Sequence, residues 1–181
     1  MRNVVGVAGM PGAGKAIVRE VVQKMGYPVM IMGDVIREEA KRMNLDPTAE
    51  NLSQIMLKLR EEDGPEAVAK RCISKIMETR EKLIVIDGVR SLDEVNEFKR
   101  HFPNFTLIAI HSSPRTRHQR LIQRERVDDP KTCRSFVERD LRELSVGLGD
   151  VIATADHMIV NEGTKERLMG KVMKFVEGML E

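Results

Sequence analysis

The sequence contains no tryptophan and a single tyrosine, Tyr27, so it has no aromatic platform on which the bases of a single strand could stack. Cysteine is nearly missing too. Cys72 and Cys133 stand far apart, with no C-x-x-C pair and no metal-ligand cluster, which reads as two reduced thiols in a cytosolic protein. The four histidines, His101, His111, His118 and His157, show no metal spacing. No apolar run approaches the length of a membrane span; the longest cover residues 83–86 and 107–110. An excess of one charge is also lacking. Thirty Lys+Arg against 28 Asp+Glu leave +2, too little to attract nucleic acid through bulk charge, so any electropositive site must be local. No N-K-x-D guanine-reading motif appears, which argues against a GTPase, and the chain is too short for an AAA+ machine and lacks an ABC-type signature. The first apolar run begins almost at Met1, leaving no room for a signal or transit peptide.

What is present is ordinary for a globular protein. The 181 residues, 41% hydrophobic and 32% charged, suit one α/β domain with a buried core. Twelve methionines stand in for aromatics as core fillers.

The most informative stretch opens the chain. The β-branched run from Val4 to Val7 feeds Gly9-Met10-Pro11-Gly12-Ala13-Gly14-Lys15-Ala16, and Ile17-Val18 can then open a helix. This is the P-loop spacing G-x-x-x-x-G-K. Glycines let the backbone wrap phosphate oxygens, the helix N-terminus presents N–H groups to the anion, and Lys15 adds a positive charge for the β- and γ-phosphates. One position departs from the pattern: the Ser or Thr whose hydroxyl helps hold Mg²⁺ is Ala16.

Downstream, apolar runs alternate with helical periodicity. Helices are expected over residues 15–25, 34–43, from Thr48 to Gly64, from Pro65 to 79, after Ser91, over 114–126, over 133–144, and after Thr164. Ser91 and Glu94 form a capping box for a helix presenting Leu92, Val95 and Phe98 inward, and Glu38 is placed to pair with Arg42. Strands are expected at 28–32, 83–86, 106–110 and 158–160 besides the first. The alternation predicts a three-layer α/β fold, a five-stranded parallel sheet with helices on both faces, as a single domain over 1–181.

Ligands of such sheets sit at the carboxyl ends of the strands. Those ends deliver the phosphate loop, Asp34 with Arg37, Asp87 with Arg90, and the start of a basic helix. Asp87 follows its strand as a Walker-B acid does and suits Mg²⁺; the competing reading is a turn or cap, since Asp-Gly is a common turn pair. Arg37 and Arg90 either form a second phosphate site, which the planar guanidinium suits, or are surface arginines. Along the basic helix, Arg117, Arg120 and Arg124 share one face, flanked by Arg115 and Arg126, with Glu125, Asp128 and Asp129 as partial counter-charges. A row of like charges repels itself unless an anion is near. It reads as a clamp on a transferring phosphoryl group or as a nucleic-acid patch, and the balanced charge without interleaved aromatics favours the clamp.

Together these motifs resemble the nucleoside-monophosphate-kinase branch of P-loop proteins, adenylate kinase and dephospho-CoA kinase above all, and most nearly an archaeal group described as adenylate-kinase-related. The resemblance covers nearly the whole chain. Gly33-Asp34-Val35-Ile36-Arg37 is similar to the adenylate-kinase segment whose arginine holds the acceptor phosphate, and Asp87-Gly88-Val89-Arg90 to D-G-F-P-R without its proline. Arg126-Val127-Asp128-Asp129 resembles the lid-end R-x-D-D, with Arg139 matching the catalytic arginine that follows and Arg142 as a rival. The run from Ala155 to Asn161 resembles the A-D-x-x-I-x-N segment of dephospho-CoA kinases, which lies by the adenine.

The resemblance implies a cytoplasmic, ATP- and Mg²⁺-using phosphotransferase acting on a nucleotide-like acceptor. Gly9 to Ala16 would hold ATP; Lys15, Asp34, Arg120, Arg124 and Arg139 would serve catalysis. Asp34, Arg37 and Arg90 would hold the acceptor, and Asp87 and Asp34 the metal. An acceptor-binding segment at about 33–80 and a short lid at about 114–140 complete it. The alternative from Ala16 is an ATP-binding sensor or assembly protein with little or no kinase activity; binding of RNA through the basic helix is a third.

Overall fold

The computed structural model of the chain describes residues 2–124 and 129–180. Five strands, β1 (Asn3–Ala8), β2 (Val29–Ile31), β3 (Leu83–Asp87), β4 (Phe105–His111) and β5 (His157–Val160), form one sheet in the order β2-β3-β1-β4-β5. Every pairing is parallel. The expected five-stranded parallel sheet is the one observed. Parallel neighbours need crossovers, and the helices that make them cover both faces.

The central strands are apolar throughout because both faces are covered, and their alternation divides the core in two. Val4 and Ala8 of β1, Ile84 and Ile86 of β3 and Leu107 of β4 point into one cluster. It is closed by α2 (Met32–Arg42), α3 (Ala49–Asp63), α4 (Ala67–Met77), α5 (Leu92–His101) and α8 (Leu148–Ala153). Val5, Val7, Leu83, Val85, Ile108 and Ile110 point the other way, onto α1 (Lys15–Lys24) and α9 (Lys165–Gly178). Phe98 and Phe105 stack across the first cluster with ring centroids 5.6 Å apart. Emptying the Phe98 site would cost about 3–5 kcal/mol.

Local chemistry sets most boundaries. Thr48 caps α3, Ser91 and Glu94 form the expected capping box on α5, and Thr164 caps α9. Gly64, at φ +92°, ends α3. Four expectations are corrected. The helix after Gly64 begins at Ala67 with Glu66 as its N-cap, so Pro65 lies in the turn. The helix expected from Asp34 starts at Met32, because β2 is only three residues long, and Asp34 therefore falls inside its first turn. Arg42 pairs with Glu39 at 3.4 Å, while Glu38 reaches across to Lys75 on α4. Leu92 is exposed, at the helix position next to the Ser91 cap, whereas Val95 and Phe98 are buried. The six-residue α8 was not expected; it presents Leu148 and Val151 to the core, too short a pattern for periodicity to register.

Two further helices, α6 (Pro114–Arg124) and α7 (Cys133–Ser145), stand at the carboxyl edge of the sheet. Arg126, Glu125 and Asp128 of the expected basic segment lie outside the described residues.

Candidate nucleotide site

The loop from Gly9 to Gly14 leaves β1 and enters α1 with no side chain capping the helix. Gly9, Gly12 and Gly14 are required by space as well as by conformation, and the last two bear on the walls of the site. Gly12 has φ +82°, and a Cβ there would lie 2.8 Å from the Arg117 carbonyl oxygen. Gly14 has φ +111° and would drive a Cβ into the Asn161 side chain. Asn161, at the end of β5, is buried, and its Nδ2 donates to the Ala13 carbonyl at 2.8 Å. Ser112, just past β4, donates its Oγ to the Asn161 carbonyl at 2.5 Å. The loop is thus pinned from below by the ends of two neighbouring strands.

Beside it lies a cavity of about 340 Å³. Gly9, Pro11, Gly12, Gly14, Lys15 and Ala16 line it from the loop; Met10 and Ala13 instead pack toward the core. Six cationic side chains face this space, Lys15, Arg19, Arg90, Arg120, Arg124 and Arg139, against two carboxylates, Asp87 and Glu143. Such an excess inside a concave wall focuses a positive field that suits a polyanion. The Lys15 ammonium, donating to the Gly9 carbonyl, has its pKa lowered to about 8. Burial is the main cause; Asp87 opposes it, and Arg90 adds to it.

Asp87 reaches the site because β3 pairs with β1 in the register Val7↔Asp87, and Gly88 N–H donates back to the Val7 carbonyl. Its Oδ2 forms an ion pair of 3.0 Å with Arg19, and its Oδ1 is buried without a hydrogen-bond partner among the described residues. Arg90 lies 3.7 Å from Glu143 of α7, joining the end of β3 to the far wall.

The basic row on α6 divides. Arg120 faces the cavity and donates to Ser112 Oγ at 2.9 Å and the Asn161 carbonyl at 3.1 Å. Arg124 and Arg139, from α6 and α7, converge on Asp129 at 2.8 Å and 3.3 Å. Arg117 does not line the cavity. It is buried, forms a double hydrogen bond with Asp140 at 2.8 Å and 2.5 Å, donates to the Pro11 carbonyl at 3.2 Å, and lies 5.0 Å from the centre of the Phe136 ring. The protein's own carboxylates therefore supply counter-charge to Arg117 and Arg124, while Arg120 is held by neutral acceptors, the Ser112 hydroxyl and the Asn161 carbonyl. Arg115 is exposed on the same helix.

Asp34, in the first turn of α2, pairs with the exposed Arg37 three residues on, and neither lines this cavity. Sequence reasoning missed Arg19, Ser112, Asp140 and Glu143. Arg19 had a usable signal, its place one helical turn after Lys15; the partners on α7 had none, since only the tertiary fold brings them near.

The residues fit a protein-held magnesium ion poorly. Asp87 offers one uncommitted oxygen, its other oxygen is held by Arg19, residues 16 and 17 carry no hydroxyl, and Asp34 is engaged elsewhere. No group of three His, Cys, Asp or Glu that could hold a metal occurs among the described residues. No described helix is long and apolar enough to cross a membrane.

A family model described as AAA domain matches residues 8–136, from the end of β1 into α7. A UPF0200 protein of Hyperthermus butylicus is 45% identical over 97% of this chain and 94% of its own length. The chain belongs to the UPF0200 family, with an AAA-type P-loop domain. Further UPF0200 relatives from Thermococcus gammatolerans (46% identical, 98% of this chain and 95% of theirs) and Methanothermobacter thermautotrophicus (48%, 88% and 82%) agree. Among solved structures, TT1252 from Thermus thermophilus superposes with a TM-score of 0.75 at 15% identity, covering 99% of this chain and 98% of its own. Shikimate kinase from Aquifex aeolicus gives 0.57 at 13% identity, covering 97% and 96%. This UPF0200 chain thus shares the fold of the P-loop kinases among these solved structures.

Proposed function

We propose that the protein is a cytoplasmic ATP-binding phosphotransferase that moves the γ-phosphoryl group to a nucleotide or nucleotide-like acceptor. The observation that carries this reading is the placement of six cationic side chains around one cavity beside an uncapped P-loop helix. The loop amides and Lys15 hold the β- and γ-phosphates. Asn161 fixes the loop on the side where a second cavity of about 210 Å³ opens, between residues 160 and 171, and the adenine belongs there.

In transfer, the bond from the γ-phosphorus to the β–γ bridging oxygen breaks as the acceptor oxygen bonds to the same phosphorus, and ADP leaves. Arg120, Arg124 and Arg139, reaching in from α6 and α7, stabilise the charge spread over the equatorial oxygens. Residues 114–140 act as the lid, residues 33–80 receive the acceptor, and Arg37 and Arg90 hold its phosphate. A monophosphate acceptor is already ionised, so positioning and electrostatics suffice. A hydroxyl acceptor would also need a base, and Asp34 would serve only if acceptor binding brought α2, which lies outside this cavity, to the γ-phosphate. A magnesium ion, if used, would be carried in on the nucleotide's own phosphates and would neutralise part of their charge there, since Arg19 already occupies the Asp87 carboxylate.

The second reading, an ATP-binding sensor or assembly protein, draws on Ala16 and on the Arg19 guanidinium at Asp87. One experiment separates the two: the protein is incubated with ATP, Mg²⁺ and a panel of acceptors including AMP, other monophosphates and dephospho-CoA. A phosphorylated acceptor above background establishes the transferase. ATP binding with no product from any acceptor would favour the binding protein. Within a working enzyme, Ala16→Ser is expected to raise the Mg²⁺-dependent rate, and only a hydroxyl acceptor gives an acidic limb in the pH–rate profile that disappears in Asp34→Asn.

A further inference from the structure

The strangest feature of the cavity is the cation that occupies the acid. Lys15 and Arg19 are four residues apart on α1 and so share a face. Helical side chains lean toward the N-terminus, which carries the Arg19 guanidinium back over the turn that meets the phosphate loop. There it meets Asp87 Oδ2 at 3.0 Å, and both residues line the cavity beside Lys15. Asp87 is 5% exposed and Arg19 is half-buried, so a desolvated carboxylate meets a guanidinium that still reaches the cavity. Among the described residues Asp87 is the only hydrogen-bond partner of Arg19, which leaves the rest of its five-donor fork uncommitted.

The two residues that follow Lys15 are Ala16 and Ile17, so the hydroxyl that would share a metal ion with Asp87 is missing at both. A guanidinium already bonded to the carboxylate repels a dication approaching the same group. The absent oxygen ligand and the present cation are two independent departures, and both act in the same direction.

We propose that Arg19 takes the place of the divalent metal: oriented by Asp87, its free N–H groups bond the β- and γ-phosphates, and a nucleoside triphosphate binds without a metal ion. This rests on reading the cavity as a triphosphate site. A planar fork can keep one edge on a carboxylate and present the other to phosphate oxygens, which an ammonium on the same stem cannot do.

The test is the affinity of the full chain for ATP, by titration calorimetry, in EDTA and in millimolar Mg²⁺, for the wild type, Arg19→Met and Arg19→Lys. The wild type is expected to bind with affinities within about threefold of each other in the two conditions, since Asp87 is already neutralised. Arg19→Met is expected to lose about tenfold or more in EDTA, the loss of a charge-assisted hydrogen bond, and to recover with Mg²⁺ once Asp87 is released. Arg19→Lys, which keeps the charge and the pair, should fall between and serves if the methionine variant folds poorly. Wild-type binding that appears only with Mg²⁺, or unchanged EDTA affinity in Arg19→Met, would overturn the inference while leaving the triphosphate site standing. No ATP binding by the wild type in either condition would overturn both.

Discussion

The two walls of the cavity are built by different means. The loop wall is made of consecutive residues: β1, the glycines, Lys15 and α1 follow one another, and their chemistry comes from backbone conformation. The opposite wall is made of pairs distant in sequence, Arg117 with Asp140, Arg124 and Arg139 with Asp129, and Arg90 with Glu143. The first wall offers a shape that an anion completes. The second holds these arginines with the protein's own carboxylates, and Arg120 with the Ser112 hydroxyl and the Asn161 carbonyl, so they are positioned before any ligand arrives. Within it the arginines also divide, Arg117 bracing the loop from behind while Arg120, Arg124 and Arg139 face the cavity.

That contrast can be broken most forcefully at Arg117. Arg117→Ala strands Asp140 without its partner in a largely buried setting, and the expected cost is about 3–5 kcal/mol. Thermal unfolding should show it as a drop of about 2–4 °C for each kcal/mol. A variant as stable as the wild type would mean that the second wall is not braced in this way.

Next in size is Lys15→Met, which acts on the ligand and leaves the scaffold alone. Removing the ammonium should weaken ATP binding by about 1.5–3 kcal/mol, roughly tenfold to a hundredfold, without lowering the melting temperature. Equal losses of stability and affinity would make Lys15 a structural residue.

The same ammonium gives a pH signature. Its pKa in the free protein is lowered to about 8, and a bound triphosphate favours the charged form, so ATP binding above pH 8 must take up a proton. Affinity should be flat below pH 8 and fall above it, approaching about tenfold per pH unit. The sign for the free protein is opposite: from about pH 8 to the unfolded value of 10.5 the unfolded chain binds more protons at this residue, so its contribution to stability rises. Calorimetry in buffers of different ionisation heat reads the uptake directly.

The smallest effect is expected outside both walls. Asp34 and Arg37 form an exposed pair, and Arg37→Ala should change stability by less than about 1 kcal/mol and leave ATP affinity within about twofold. A large loss of ATP affinity there would join α2 to the triphosphate site.

The sequence made the loop wall legible because its information is local. The spacing of Gly9, Gly12, Gly14 and Lys15 and the apolar run ending at Asp87 state the geometry directly, and the parallel sheet follows from runs such as 83–86 that are buried on both sides. The second wall was legible only as a row of charges on α6. That Arg117 would turn inward onto Asp140 depends on how α6 packs against α7, and nothing in the spacing of either helix states it. Arg19 sits between the two cases: its place on α1 was readable, while its capture by Asp87 required the register of β3 against β1.

The central claim is that the cavity beside Lys15 recognises the phosphates of its ligand. Displacement of a fluorescent ATP analogue tests it most directly, with inorganic tripolyphosphate and adenosine as competitors and Mg²⁺ in excess. Tripolyphosphate is expected to displace the analogue while adenosine at the same concentration leaves it bound. Displacement by adenosine and none by tripolyphosphate would contradict the claim.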